Sequence, residues 1–135
     1  MGRAWYGSNK PKTTNKIALM DASIISGMPG LTVNGGALAA SAAIPADTSA
    51  QYQITTAAAE TNTLAIPDSE GLVISLYMKT RAVGDRVITV ASAINQAGNT
   101  IMTFGADGDH IILVGIHNGT ALQWSVLMNN GVALT

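Results

Sequence analysis

The residues that could do chemistry in this chain gather around two histidines. His110 and His117 bracket one apolar run, Gly108-Asp109-His110-Ile111-Ile112-Leu113-Val114-Gly115-Ile116-His117. Imidazoles serve as metal ligands or as acid–base groups. Seven residues apart on an extended strand, these two point to opposite faces and cannot share a metal ion. Each reads as a polar residue at a strand end. Asp107 and Asp109 place two carboxylates in the loop just ahead. Calcium needs more oxygen ligands than this, and the EF-hand spacing is missing, so the pair reads as turn chemistry. Glu60, Asp68 and Glu70 could in principle supply the carboxylate pair of a glycosidase. They fall in or near expected turns, and no aromatic-rich groove lies beside them to hold a sugar. Nucleophile-elbow, P-loop, GxGxxG and HExxH patterns do not occur. With no cysteine, thiol catalysis, disulfides and Cys-bound metals are excluded. The expectation is a protein that is not an enzyme and takes no cofactor or metal.

A second kind of chemistry is binding, and it concentrates at the other end of the chain. Residues 1–16 hold Arg3, Lys10, Lys12 and Lys16 and no acid, together with Trp5 and Tyr6, two of only six aromatic residues. The remaining residues carry three basic and eight acidic side chains, so a basic arm precedes a mildly acidic body. Cations interleaved with aromatics can hold single-stranded nucleic acid. Four cations are few for that, and the chain as a whole is slightly acidic, unlike strongly basic nucleic-acid-binding domains. A solvated leader has little use for a Trp. Docking on an acidic protein surface, with Trp, Tyr and Arg as anchors, fits these residue types better.

The elements that position these groups read as β-strands. Two apolar runs joined by Asn118-Gly119 carry the strongest short-range hairpin signal, and Asn130-Gly131 suggests another turn. Asn118-Gly119-Thr120 also matches a glycosylation sequon, but the turn is the better reading. A two-residue loop there would pair His117 with Thr120, Leu113 with Trp124 and Ile111 with Val126. Ile111, Leu113 and Gly115 would then share a core face with Leu122, Trp124, Val126 and Met128, with Gly115 leaving room beside large neighbours. Ile112, Val114 and Ile116 would line the opposite face. A strand apolar on both faces is either central or at a subunit contact, and these three residues are assigned to a subunit interface. Upstream, residues 72–79 alternate most cleanly, with Leu72, Ile74, Leu76 and Met78 on one face and Val73, Ser75, Tyr77 and Lys79 on the other. Further strands are expected near 31–34, 37–41, 51–55, 61–66, 86–92 and 99–104. A short helix is expected over 17–26, and Ala57-Ala58-Ala59 could form a helical turn. Pro67-Asp68-Ser69-Glu70-Gly71 has turn chemistry. Strands this short, about 8 to 14 residues apart, predict an all-β fold: a jelly-roll-like sandwich or barrel of short antiparallel strands with an extended N-terminal arm. The expected organisation is an arm over 1–16 and a single β-domain over 17–135.

Composition adds one constraint. Of 135 residues, 47% are hydrophobic and only 11% charged, where about 25% charged is usual. A domain this poor in charge is expected to turn part of its surface toward another protein. No apolar run approaches the roughly 20 residues of a membrane span, and no signal-peptide pattern is readable, so no membrane partner is expected.

The segments Thr63-Leu-Ala-Ile-Pro67, Gly71-Leu-Val-Ile-Ser-Leu76, Val87-Ile-Thr-Val90, Asn99-Thr-Ile-Met-Thr-Phe104, Gly108-Asp109-His-Ile-Ile-Leu113 and Asn118-Gly119…Trp124 together resemble small β-domains of tailed bacteriophages. In those domains a Gly-Asp turn leads to an apolar strand, an Asn-Gly or Asp-Gly turn, and a strand bearing Trp. They occur in head-decoration (cement) proteins and in head- or tail-fibre tips. The resemblance spans residues 61–128. It departs at Gln123-Trp124-Ser125-Val126, where a Lys/Asn-Trp-Val-Val string is commoner. It implies a viral structural protein, made in the host cytoplasm and residing on the capsid exterior. Its partners would be the major capsid protein and itself, as a homotrimer. Arg3, Trp5, Tyr6, Lys10, Lys12 and Lys16 would bind the capsid. A fibre tip that binds a host receptor or glycan is the alternative that the same resemblance implies.

Overall fold

The computed structural model describes residues 33–135, which belong to one compact unit. The basic arm and the helix expected over 17–26 lie outside the described residues. Ten strands form: β1 (Val33–Ala37), β2 (Ala43–Ile44), β3 (Ala50–Thr56), β4 (Glu60–Leu64), β5 (Val73–Arg81), β6 (Arg86–Val90), β7 (Ile101–Phe104), β8 (His110–His117), β9 (Leu122–Asn130) and β10 (Ala133–Leu134). Among the described residues there is no helix, and Ala57-Ala58-Ala59 is a bend ahead of β4.

The strands form two five-stranded sheets, ordered β1-β3-β5-β8-β9 and β10-β7-β6-β4-β2. Period-2 alternation gives each sheet an apolar face, and both faces feed one buried cluster. The first sheet contributes Ile54, Ile74, Leu76, Met78, Ile111, Leu113 and Trp124; the second contributes Ile44, Leu64, Ile88, Val90, Met102 and Phe104. Burying each such side chain contributes about 1.5–3 kcal/mol. The arrangement is all-β and sandwich-like, with two separate sheets rather than a closed barrel.

Strand direction differs from the antiparallel expectation. Of the eight pairings, β1–β3, β3–β5, β2–β4 and β4–β6 are parallel. The reason is the path of the chain. From β1 to β6 successive strands alternate between the two sheets, so the chain returns to each sheet running in the same direction. A tight turn cannot join parallel neighbours; here each parallel pair is joined through a strand of the opposite sheet. Only β6–β7 and β8–β9 are consecutive strands that stay in one sheet, and both pairs are antiparallel.

The closing hairpin also departs in detail. Its loop is the four residues 118–121, and His117 pairs with Leu122, Gly115 with Trp124 and Leu113 with Val126. Asn118 Oδ1 accepts the N–H groups of Thr120 and Ala121, which removes both from the strand ladder and shifts the register by two. An even shift keeps each side chain on its face. A bulge at Leu127 then breaks the pattern: Ile112 pairs with Met128, so Met128 leaves the core face and is exposed.

The room at Gly115 is used by a loop as well as by Trp124. A Cβ there would sit 2.6 Å from the carbonyl oxygen of Ser69 and 3.0 Å from Pro67 Cβ. The β4–β5 connection thus lies directly on the strand. Gly71 N–H donates to Gly115 O, Gly115 N–H donates to Leu72 O, and Trp124 Nε1 donates to Ala65 O at 2.7 Å. This segment closes one end of the core.

Candidate functional site

Among the described residues, the outward face of the first sheet is one of two extended surfaces that the topology assembles from several strands. Cross-strand pairs set its rows. Gln53, Tyr77, His110 and Asn130 form one; Gln51, Ser75, Ile112 and Met128 the next; Val73, Val114 and Ser125 a third; Ile116 and Gln123 the last. These side chains include no carboxylate, ammonium or guanidinium. Lys79 and Arg81 lie at the far end of β5, beyond the rows. Ile112, Val114 and Ile116, the residues assigned to a subunit contact from sequence, stand together along β8, beside the β9 edge, and are half-buried. Leu127 and Met128 extend the apolar area at the β9 edge.

Charge is kept elsewhere. Asp47, Asp68, Glu70, Asp85 and Asp107 all lie in connections between strands. Asp85 pairs with Arg81 at 2.8 Å, and Asp107 Oδ1 accepts the Arg81 backbone N–H. Asp109 is buried and accepts from the N–H groups of Gly105 and Ala106 at 2.8 and 2.9 Å. The Asp107–Asp109 carboxylates therefore do turn work. Glu60 lies in β4, not in a turn, and is ion-paired to the fully buried Arg86 opposite it on β6. Arg86 also donates to Asn62 Oδ1 at 2.7 Å and to Thr55 O at 3.1 Å, while Asn62 Nδ2 holds the carbonyls of Ala39 and Ala42. Burial pushes the Arg86 guanidinium below its ordinary pKa, against the opposing pull of Glu60. This network joins strands of both sheets to the chain after β1.

One pair on the outward face has the look of catalytic chemistry. Ser75 Oγ lies 2.7 Å from His110 Nε2, and the Tyr77 ring meets the imidazole edge-on with centroids 5.9 Å apart. Serine beside a base is the start of a nucleophilic triad. The third member is missing among the described residues: no carboxylate bonds the other imidazole nitrogen. Asp109, next in the chain, points to the opposite face and is occupied by Gly105 and Ala106. Burial pushes the His110 imidazole below its ordinary pKa, which favours the neutral form and keeps the face without charge.

The two histidines diverge. His110 faces outward to Ser75, and His117 accepts from the Gly119 N–H at the hairpin tip. Among the described residues no three His, Asp or Glu side chains are grouped to hold a metal ion. Arg3, Trp5, Tyr6, Lys10, Lys12 and Lys16 lie outside the described residues. Sequence reasoning missed Arg86 and the Ser75–His110 pair. A signal for Arg86 was present, since Arg86, Ile88 and Val90 alternate onto one face and that face is the core. No protein-family model and no curated protein matches this chain.

Proposed function

We propose that this chain is a non-catalytic structural component of a virus particle, a decoration (cement) protein that binds the outside of a capsid as a homotrimer and stabilises the shell. The observation that carries the reading is the uncharged outward face of β5, β8 and β9. Interface cores are depleted of charge and enriched in apolar, aromatic and Met side chains. Three strands about 4.8 Å apart and roughly nine residues long present on the order of 400 Å² in projection. That is about half of the roughly 800 Å² per partner that a stable interface buries. In a cyclic trimer such a patch meets a neighbouring surface rather than its own copy. The resemblance over residues 61–128 supplies the viral context, and the basic, aromatic residues 1–16 supply the capsid anchor.

Two measurements test the two halves of this reading. Light scattering of the intact chain should give the mass of three copies. Ile112→Lys should give a folded monomer, with an unchanged β-type circular dichroism spectrum. A monomeric parent, or a trimer that tolerates Ile112→Lys, contradicts the assignment of this face. Deleting residues 1–16 should leave the trimer intact and abolish its co-sedimentation with shells of the major capsid protein. Unchanged occupancy on those shells would exclude the anchor.

A further inference from the structure

The tip of the β8–β9 hairpin holds the Asn118 side chain at both ends. Its Oδ1 accepts the backbone N–H groups of Thr120 and Ala121, each at 2.9 Å, and its Nδ2 donates to Gln123 Oε1 at 2.8 Å. The backbone N–H of Gly119 donates to His117 Nδ1 at 3.1 Å. All residues of the loop, and His117 beside it, are exposed. A turn needs only some of these bonds. Together they match the requirements of one reaction, the attack of a glycine backbone nitrogen on the amide carbon of the preceding asparagine. Two N–H donors on one carbonyl oxygen are what an oxyanion hole provides. An imidazole nitrogen that accepts the N–H to be removed is a positioned general base. Glycine adds no side chain to obstruct the approach, and Gly119 holds a φ of 97°.

We propose that Asn118 is a self-catalysed deamidation site, with His117 as base and the Thr120 and Ala121 amides as the oxyanion stabiliser. The Gly119 nitrogen forms a bond to Asn118 Cγ as its proton passes to His117 Nδ1. The carbonyl electron pair moves onto Oδ1, where the two N–H groups hold it. Collapse of this tetrahedral centre restores the carbonyl and breaks the Cγ–Nδ2 bond. Nδ2 leaves as ammonia, taking the proton back from the imidazole. Water then opens the five-membered succinimide at either carbonyl, leaving aspartate or isoaspartate. The sum is amide plus water to carboxylate and ammonium, with no change of oxidation state. The modified loop gains one negative charge, and an isoaspartyl product also gains a backbone atom at the tip.

The chain carries its own control. Asn130-Gly131 is the same dipeptide, also exposed, at the end of β9. The Asn130 side chain makes none of these hydrogen bonds, and no imidazole accepts from the Gly131 N–H. The experiment is incubation of the full chain at neutral pH, with peptide mapping by mass spectrometry over time. Asn118 should convert about 10²-fold faster than Asn130, the lower range of what a positioned base contributes. His117→Ala should remove that excess and leave Asn130 unchanged, and unfolding in urea should bring the parent's two sites to similar rates. The proposal is overturned if Asn118 is no faster than Asn130 in the folded chain, if the excess survives His117→Ala, or if it persists in urea.

Discussion

Replacing Arg86 by alanine should destabilise the fold by about 3–5 kcal/mol, the range for removing one partner of a buried ion pair. The side chain is 1% exposed and its guanidinium serves several acceptors at once: Glu60, Asn62 Oδ1 and the Thr55 carbonyl. Alanine would leave these acceptors facing a cavity. Glu60 is nearer the surface and can recover water, so Glu60→Gln should cost less, about 1.5–3 kcal/mol for a hydrogen bond to a charged group. The guanidinium would keep its other acceptors in that variant. Urea denaturation measures both, as a fall in midpoint at constant slope. A loss for Arg86→Ala under about 1 kcal/mol, the range of an exposed pair, would mean that water already shares the site. The Nε of Arg86, buried without a hydrogen-bond partner, is where such a water would first be found.

Trp124→Ala should cost about 3–5 kcal/mol by the same measurement, for a different reason. Trp124 is the largest fully buried side chain in the described chain, and its ring spans from β9 to the β4–β5 connection. Truncation opens a cavity beside Gly115, which has no side chain to relax into it. Trp124→Phe separates the two contributions. It keeps an aromatic ring but loses the N–H to Ala65 O, so it should cost less than half as much as alanine. Equal losses for the two variants would show that the hydrogen bond, rather than the volume, holds that end of the core.

What could be read beforehand was whatever depends on local period. The alternation over 72–79 put Leu72, Ile74, Leu76 and Met78 on one face and Val73, Ser75, Tyr77 and Lys79 on the other; Ile74, Leu76 and Met78 are buried and Tyr77 and Lys79 exposed, while Ser75 is buried beside His110 on the outward face. Gly115 was read as room for a large neighbour, and Asn130-Gly131 as a turn, which here leads to β10. Ile112, Val114 and Ile116 were read as one face of one strand, and that face is the outward one. Strand order was not legible, because a period of two says which face a residue takes and nothing about which strand lies beside it. The parallel coils are a long-range property of that kind. Hairpin register failed for a smaller reason. The dipeptide Asn-Gly signals a turn, but Asn118 also binds the two N–H groups beyond it, and that bond lengthens the loop. The Ser75–His110 pair depends on the β5–β8 register, which only the assembled sheet defines.

The alternation of β1 to β6 between the two sheets also bears on how the chain is made. A nascent chain delivers its N-terminal segments first, and unpaired strand edges are then open to wrong partners. Both sheets gain a strand in turn, so neither is complete while the first six strands emerge. The edge of β5 waits for β8, and the core waits for Trp124 on β9. The most vulnerable moment in synthesis is therefore after β6 has left the ribosome and before β8 has. At that point two half-built sheets of parallel strands expose their edges and share an open core. β7 covers the β6 edge first, and the hairpin that follows covers the β5 edge and brings the residue that fills the core.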